Sequence, residues 1–78
     1  MTSDDDLLRD FGTRLRTART AAGLSQEELA HQAGLHRTYV GSVERGERNI
    51  AVLNIVTLAT VLGVDAGTLI AGMVRSPE

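Results

Sequence analysis

The sequence predicts a small all-α protein. Apolar residues recur at spacings of three and four along most of the chain, glycines follow the ends of these runs, and no segment alternates apolar and polar residues as a half-buried strand does. The 78 residues suffice for one compact domain. With no cysteine, and with Phe11 and Tyr39 as the only aromatic residues, its core must be aliphatic and thin, so pairing with a second copy is expected.

Five helices are expected, and the first two are marked by their ends. The first ends at Gly23, because glycine readily takes the left-handed conformation that closes a helix. Ser25 and Glu28 then form a capping-box pattern, in which hydroxyl and carboxylate satisfy free amides at the start of a second helix over residues 26–33. The apolar face of the first helix consists of Leu8, Phe11, Leu15, Ala18 and Ala22.

Three further apolar runs predict the remaining helices. A turn after Gly34 leads into a third helix, over residues 37–45, whose outer face is polar. Residues 52–62 are apolar on almost every side, so this fourth helix is expected to be buried on every side. Asp65 can cap a fifth helix near the C-terminus. The apolar residues of that helix are Leu69, Ile70, Met73 and Val74.

The distribution of charge matters more than its sum. A formal net charge of −2 counts against nucleic-acid binding. However, three aspartates fall in an expected flexible acidic tail over residues 1–6, ahead of a single domain over residues 7–75, whereas seven of the eight arginines lie between Arg9 and Arg48. All basic residues are arginines, which suits bidentate recognition of phosphate and guanine or simply reflects genomic base composition.

Several classes of function are disfavoured. The chain does not open with a basic and apolar leader, and its longest apolar stretch, residues 50–64, is short for a membrane span, so a cytoplasmic protein without a membrane partner is expected. There is no cysteine nucleophile, and His31 and His36 stand on separate elements, so the chain is not expected to be an enzyme. No metal, cofactor or small-molecule ligand is expected either.

The span from Gln26 to Gly46 carries the functional signal. Ala30 lets two helices approach closely, and Gly34 permits a sharp turn four residues later. This joint spacing predicts a helix-turn-helix formed by the second and third helices. The apolar residues between the two helices are Leu29, Leu35, Val40 and Val43.

On these residues the sequence resembles the phage-repressor and Cro-type, or XRE-like, helix-turn-helix regulators. The similarity covers about residues 11–72, and residues 37–50 are most similar to the controller proteins of restriction-modification systems. The resemblance implies a compact five-helix lambda-repressor-like domain that places its third helix in the major groove of DNA. The segments that carry it are residues 14–16 with Arg19, 23–30, 43–46 and 62–64.

The resemblance also implies which side chains read bases. Arg37, Thr38 and Ser42 are the base-contact candidates on the outward face of the third helix. Arg37 can grip both acceptors of guanine, and the methyl group of Thr38 can pack against thymine. Gln26 is implied to contact the DNA backbone beside the free amides that begin the second helix. The alternatives are a solvated arginine and an ordinary polar residue of a capping turn.

Further contacts are expected around the third helix. Arg45, Arg48 and Asn49 are candidates for clamping phosphates, with a plain solvated loop as the alternative. Two alternatives are open for Tyr39. Either its ring packs beside the third helix while its hydroxyl reaches a phosphate, or its ring lies mostly in the core with an exposed tip. His36 occupies a position where a short polar N-cap is usual, and it is a further candidate for DNA contact.

Arg19 and Glu44 resemble a pair that many members of this family use as a largely buried salt bridge between the first and third helices. The role implied for the pair is structural. Removing one partner would leave a poorly solvated charge, which costs about 3 kcal/mol or more when the bridge is buried.

The fourth and fifth helices, residues 52–74, carry more apolar surface than a monomer readily covers. A two-fold interface there would set two recognition helices in successive major grooves and would require a roughly palindromic operator. The alternative is a monomer with scattered apolar residues on its surface. The expected interface residues are Leu53, Val56, Val61, Leu69, Ile70 and Met73.

We therefore expect a sequence-specific regulator of transcription that binds double-stranded DNA as a homodimer. It is expected to regulate its own expression, and the narrower resemblance implies a restriction-modification controller, with RNA polymerase as a candidate partner. The rival hypothesis is an antitoxin or adaptor that uses the same fold to bind a protein. A toxin-binding extension would mark that rival, and the chain ends soon after the fifth predicted helix.

Overall fold

The computed structural model describes residues 3–75, which form four α-helices and one short 3-10 helix. The helices are α1 (Asp4–Ala21), α2 (Gln26–Ala33), α3 (Arg37–Glu44), α4 (Val52–Leu62) and the 3-10 helix (Ala66–Leu69). No strand occurs in this described range. The prediction of an all-α fold, with a helix-turn-helix made by the second and third helices, is confirmed.

Capping boxes begin α1 and α2. The Ser25 hydroxyl accepts a hydrogen bond from the Glu28 backbone amide at 3.0 Å, and the Glu28 carboxylate accepts one from the Ser25 backbone amide at 2.9 Å. The sequence predicted this reciprocal pair. These bonds to Ser25 hold the pKa of Glu28 below its usual value. Ser3 and Asp6 form the same reciprocal pair at the start of α1.

The prediction of a flexible acidic tail is wrong for residues 3–6, and Met1 and Thr2 lie outside the described residues. Ser3 is the N-cap of α1, and the three aspartates form the first turn of the helix. Their negative charge is stabilised there by the positive end of the helix dipole. A hydrogen bond from Arg9, followed by those from Ser3, lowers the pKa of Asp6.

The core lies where α1, α2, α3 and α4 meet the 3-10 helix. Its buried apolar residues are Phe11, Leu15, Leu29, Ala30, Val40, Val43, Leu58, Ala59, Leu62 and Leu69. The prediction that α4 is buried on every side is wrong for the single chain, because only one side of α4 faces this core. Its exposed apolar residues are Val52, Leu53 and Val56.

The fifth predicted helix is a single 3-10 turn. Asp65 caps it, as expected, by accepting the amide of Gly67 at 2.9 Å. The element does not continue as an α-helix because Gly67 and Gly72 both disfavour one, and Gly72 takes a positive φ of 75°. Leu69 therefore closes the core at 2% exposure, while Ile70 beyond it is half-exposed.

These positions correct part of the predicted dimer surface. Leu69 is enclosed by the core of its own chain, so the prediction that it is an interface residue is wrong. Val61 and Met73 are partly buried against the same core. The members of the predicted set that remain exposed are Leu53, Val56 and Ile70.

Gly12 allows α1 to touch the end of α3 backbone to backbone. A Cβ atom at this position would lie 2.5 Å from the carbonyl oxygen of Val43 and 2.4 Å from that of Glu44. Contacts this short cannot be relieved by rotating a side chain, because both oxygens belong to the backbone. The crossing of α1 over α3 therefore depends on a residue without a side chain.

Gly12→Ala is expected to lower the free energy of unfolding by about 2 kcal/mol, because the two helices must separate to admit one methyl group. The higher helix propensity of alanine offsets part of that loss. Urea denaturation measures the change, with Thr13→Ala at the neighbouring exposed position as the control. A Gly12→Ala variant as stable as the wild type would contradict the close crossing.

Candidate nucleic-acid interface

A largely buried ion pair underlies the outer surface of the helix-turn-helix. Arg19 Nε lies 2.6 Å from Glu44 Oε2 and Arg19 Nη2 lies 3.0 Å from Glu44 Oε1, with the side chains only 13% and 3% exposed. The salt bridge implied by the family resemblance is therefore present. These hydrogen bonds raise the pKa of Arg19, against the opposing effect of its burial.

The same ion pair reaches two other segments. Arg19 Nη1 donates to the carbonyl oxygen of Leu24, in the connection between α1 and α2, at 2.9 Å. Glu44 Oε1 also accepts the side-chain amide of Gln26 at 2.9 Å. Gln26 thus begins α2 with its side chain already oriented by a charge at the end of α3.

Exposed polar groups converge on a small cleft beside α3. Arg37 and Thr38, both exposed in the first turn of α3, line it together with Gln26 from α2. Gly41 forms part of its wall, since a Cβ there would lie 3.2 Å from Arg45 Nη1 and 3.4 Å from Gln26 Oε1. The cleft combines two guanidinium groups with an amide and a hydroxyl, a set suited to phosphate oxygens and base edges.

Ser42 does not lie on the outward surface, and its expected placement there is wrong. It falls one turn after Thr38 on α3, but the following loop folds back over it, with the amide of Glu47 donating to the Ser42 carbonyl at 2.9 Å. Its hydroxyl donates to the Tyr39 carbonyl at 2.8 Å and accepts Arg48 Nε at 3.4 Å. Only 5% of Ser42 is exposed.

The two arginines just after α3 are both exposed but differ in their pairing with carboxylates. Arg45 binds Glu47 with two hydrogen bonds, from Nε at 3.0 Å and from Nη2 at 3.2 Å. Each partner's hydrogen bonding shifts the other's pKa, which is raised for Arg45 and lowered for Glu47. Glu47 therefore offsets part of the charge that Arg45 offers. Arg48 and Asn49 are exposed in the same loop.

Tyr39 packs against the core, in agreement with one of its two alternatives, while its contact with a phosphate stays a prediction. Its ring is half-buried and packs against the core, while its hydroxyl accepts Asn54 Nδ2 from α4 at 3.2 Å. Sequence inspection missed both Glu47 and Asn54. The pairing of Glu47 could have been predicted from its opposite charge two residues after Arg45. Asn54 lies 15 residues after Tyr39, and nothing in the sequence indicates their contact.

The remaining candidate, His36, is exposed at the N-cap of α3, where its side chain makes no capping hydrogen bond. Within residues 3–75, no three histidine or carboxylate side chains are grouped as ligands for a metal ion. Across the same residues, no helix has the length and apolar character needed to cross a bilayer.

The paired helices α2 and α3, with a donor-rich cleft beside the first turn of α3, define a helix-turn-helix protein. A family model described as helix-turn-helix matches residues 15–69, which is more than half of the 78 residues. This chain belongs to that helix-turn-helix family, whose members are DNA-binding regulators of transcription.

Individual relatives identify a narrower group of regulators within this family. The control protein C.SmaI of Serratia marcescens is 42% identical over 65 residues, which span 83% of this chain and 77% of that protein. A similar solved structure is the crystal structure of the restriction-modification controller protein C.AhdI from Aeromonas hydrophila. The two sequences are 56% identical and the two folds match with a TM-score of 0.78, over 80% of this chain and 94% of that one. The chain is therefore homologous to restriction-modification controller proteins.

A further similar structure contains nucleic acid. It is that of the master regulator for biofilm formation, SinR, in complex with DNA. The two chains are 33% identical with a TM-score of 0.74, over 77% of this chain and 97% of that one. The likeness thus extends to a regulator whose structure was solved with its DNA.

Replacing either member of the buried ion pair is expected to cost about 3 kcal/mol of unfolding free energy, because the remaining charge is left poorly solvated. The variants Arg19→Met and Glu44→Gln, alone and combined, form a double-mutant cycle measured by urea denaturation. The exposed pair of Arg45 and Glu47 supplies the control cycle, and its coupling is expected to be much weaker because solvent screens exposed charges. Equal coupling energies in the two cycles would contradict the structural role of the buried pair.

Proposed function

We propose that this regulator binds a roughly palindromic DNA operator as a homodimer, reading base edges with the first turn of α3. The observation that carries the proposal is the convergence of Arg37, Thr38, Gln26 and Arg45 on one exposed cleft. A helix-turn-helix presents the N-terminal part of its second helix to the major groove, and these side chains surround that part of α3. Binding, and not catalysis, is its activity.

Within this proposal the cleft divides into base and backbone contacts. Arg37 binds both acceptors of a guanine, and Thr38 packs its methyl group against a thymine. Gln26, oriented by Glu44, and the amides at the start of α2 contact phosphate.

Around this centre, further groups hold the DNA backbone without reading sequence. Arg45 attracts phosphate less strongly than an unpaired arginine would, because it is already paired with Glu47. The proposed contacts are Tyr39, Arg45, Arg48 and Asn49, with His36 at the uncapped start of α3.

The homodimer is supported by apolar surface that the single chain leaves uncovered. Leu53 is 80% exposed on an apolar helix that has no charged residue, and Val56 is half-exposed one turn further along α4. Transferring this surface from water to a matching surface is favourable by about 25 cal/mol per Å². The proposed interface comprises Val52, Leu53, Val56, Ile70 and Val74 from the segment 52–74.

The regulatory role follows from the relatives that are named control or controller proteins. We infer that this chain controls restriction-modification genes in the cytoplasm and regulates its own promoter, with protein concentration as the signal. Dimerisation makes occupancy of the operator rise steeply with that concentration. RNA polymerase is the candidate second partner at such a promoter.

Selection of bound sequences from random duplex DNA is expected to enrich a palindrome. In Arg37→Ala, preference should relax at one symmetric pair of positions, with affinity for the selected site about thirtyfold or more lower at fixed salt, because one bidentate base contact is lost in each protomer. Arg16→Ala, which removes an exposed arginine from α1, is the matched control. No enrichment with the wild type would refute sequence-specific binding, and unchanged preferences in Arg37→Ala would refute its assignment.

Leu53→Asp is expected to convert the dimer to monomers in sedimentation velocity, because each protomer would have to bury a carboxylate in an apolar interface. We expect the dimer dissociation constant to rise about tenfold or more, and operator binding to weaken with it. Thr17→Asp adds the same charge on the exposed side of α1 and serves as the control. A Leu53→Asp protein that remains dimeric would exclude this face as the interface.

A further inference from the structure

Asn54 differs from the other polar residues of α4. The hydroxyls of Thr57 and Thr60 donate to carbonyl oxygens of their own helix, at 2.9 Å to Leu53 and 2.8 Å to Val56. Among the residues that the structure describes, Asn54 is the one side chain of α4 with a hydrogen bond to another helix. Asn54 therefore supplies the one side-chain hydrogen bond from this largely apolar helix to another described helix, and its partner lies on α3.

That connection decides what the phenol of Tyr39 can offer to a ligand. A phenolic hydroxyl has one proton to donate and an oxygen that accepts. Asn54 Nδ2 donates to this oxygen at 3.2 Å, so the hydroxyl proton remains available to an acceptor outside the protein. A phosphate oxygen is such an acceptor, and it has no proton to give in return.

The surroundings of the pair keep the hydroxyl in place. Tyr39 directly follows Thr38 in the first turn of α3, and its half-buried ring is packed against the core. Asn54 lies in the first turn of α4, whose N-cap, Ala51, provides no side-chain hydrogen bond. The contact between Asn54 and Tyr39 thus fixes the start of α4 and the direction of the phenol together.

We propose that Asn54 is a positioning residue for DNA binding. Its amide holds the oxygen of Tyr39 so that the phenol proton is donated to a DNA phosphate. This inference rests on the proposed backbone contact of Tyr39 and adds to it a residue outside the helix-turn-helix. Asn54 is also the chain neighbour of Leu53, so the proposed dimer face and the residue that positions the phenol share one turn of α4.

The test is a double-mutant cycle on affinity for the selected operator, using Tyr39→Phe, Asn54→Leu and the double variant. Leucine is close to asparagine in size and suits an apolar helix. Tyr39→Phe is expected to weaken binding about tenfold, since a hydrogen bond to a charged phosphate is lost. Asn54→Leu should lose about threefold or more, and the double variant should bind no worse than Tyr39→Phe, because Asn54 then has no hydroxyl to orient.

Thr57→Val is the control on the same helix, since that hydroxyl bonds only within α4, and its affinity should equal that of the wild type. Thermal unfolding of each variant separates loss of binding from loss of fold. A second readout is specific to the phenol. The chain has one tyrosine and no tryptophan, so its intrinsic emission reports Tyr39 alone. Operator binding should change that emission in wild type and Thr57→Val, and much less in Asn54→Leu.

The outcomes separate this inference from the function on which it rests. A wild-type protein that binds no DNA overturns the proposed function and this inference with it. Normal wild-type binding with additive losses in the cycle overturns the inference alone, because Asn54 would then act independently of the hydroxyl. An emission change in Asn54→Leu equal to that of the wild type overturns it as well.

Discussion

Glu44 accepts hydrogen bonds from two other parts of the domain at once, and the shape of the proposed DNA-binding surface depends on that carboxylate. Arg19 brings α1 to it, Gln26 brings the start of α2, and the carboxylate itself ends α3. A buried ion pair adds little net stability over an apolar substitute, because desolvation offsets the attraction. Its directional bonds do fix a geometry, however, and here they fix Gln26 relative to α3, the helix proposed to read bases.

A chain with a net charge of −2 can still bind a polyanion because its acidic groups are distributed unevenly. The aspartates of the first turn of α1 complement the helix dipole and bind arginines, as in the pair of Asp6 with Arg9. Within the described residues, Arg37 forms no ion pair with a carboxylate and keeps its donors for a ligand. Beside the proposed DNA-binding cleft, Glu47 forms an ion pair with Arg45 and lowers the net positive charge there.

The sequence predicted those features that depend on neighbouring residues. The four α-helices follow from apolar spacing, and the start of α2 follows from Ser25 and Glu28, because capping and periodicity act within a few residues. The pairing of Arg19 with Glu44 came from family resemblance and not from local pattern. The sequence did not predict features that depend on segments meeting only in three dimensions. These features are the loop over Ser42, the contact of Asn54 with Tyr39, and the one-sided burial of α4.

The uncapped start of α3 limits how this protein can be made more heat-resistant. At His36 an aspartate would accept the free amides of the first turn, and such a cap is worth about 1 kcal/mol in a typical helix. The same carboxylate would stand beside Arg37 on the surface that is proposed to approach phosphate, where it would repel the DNA. Stability gained with aspartate at this position would be lost in affinity, whereas serine, which caps about as well and carries no charge, avoids that repulsion.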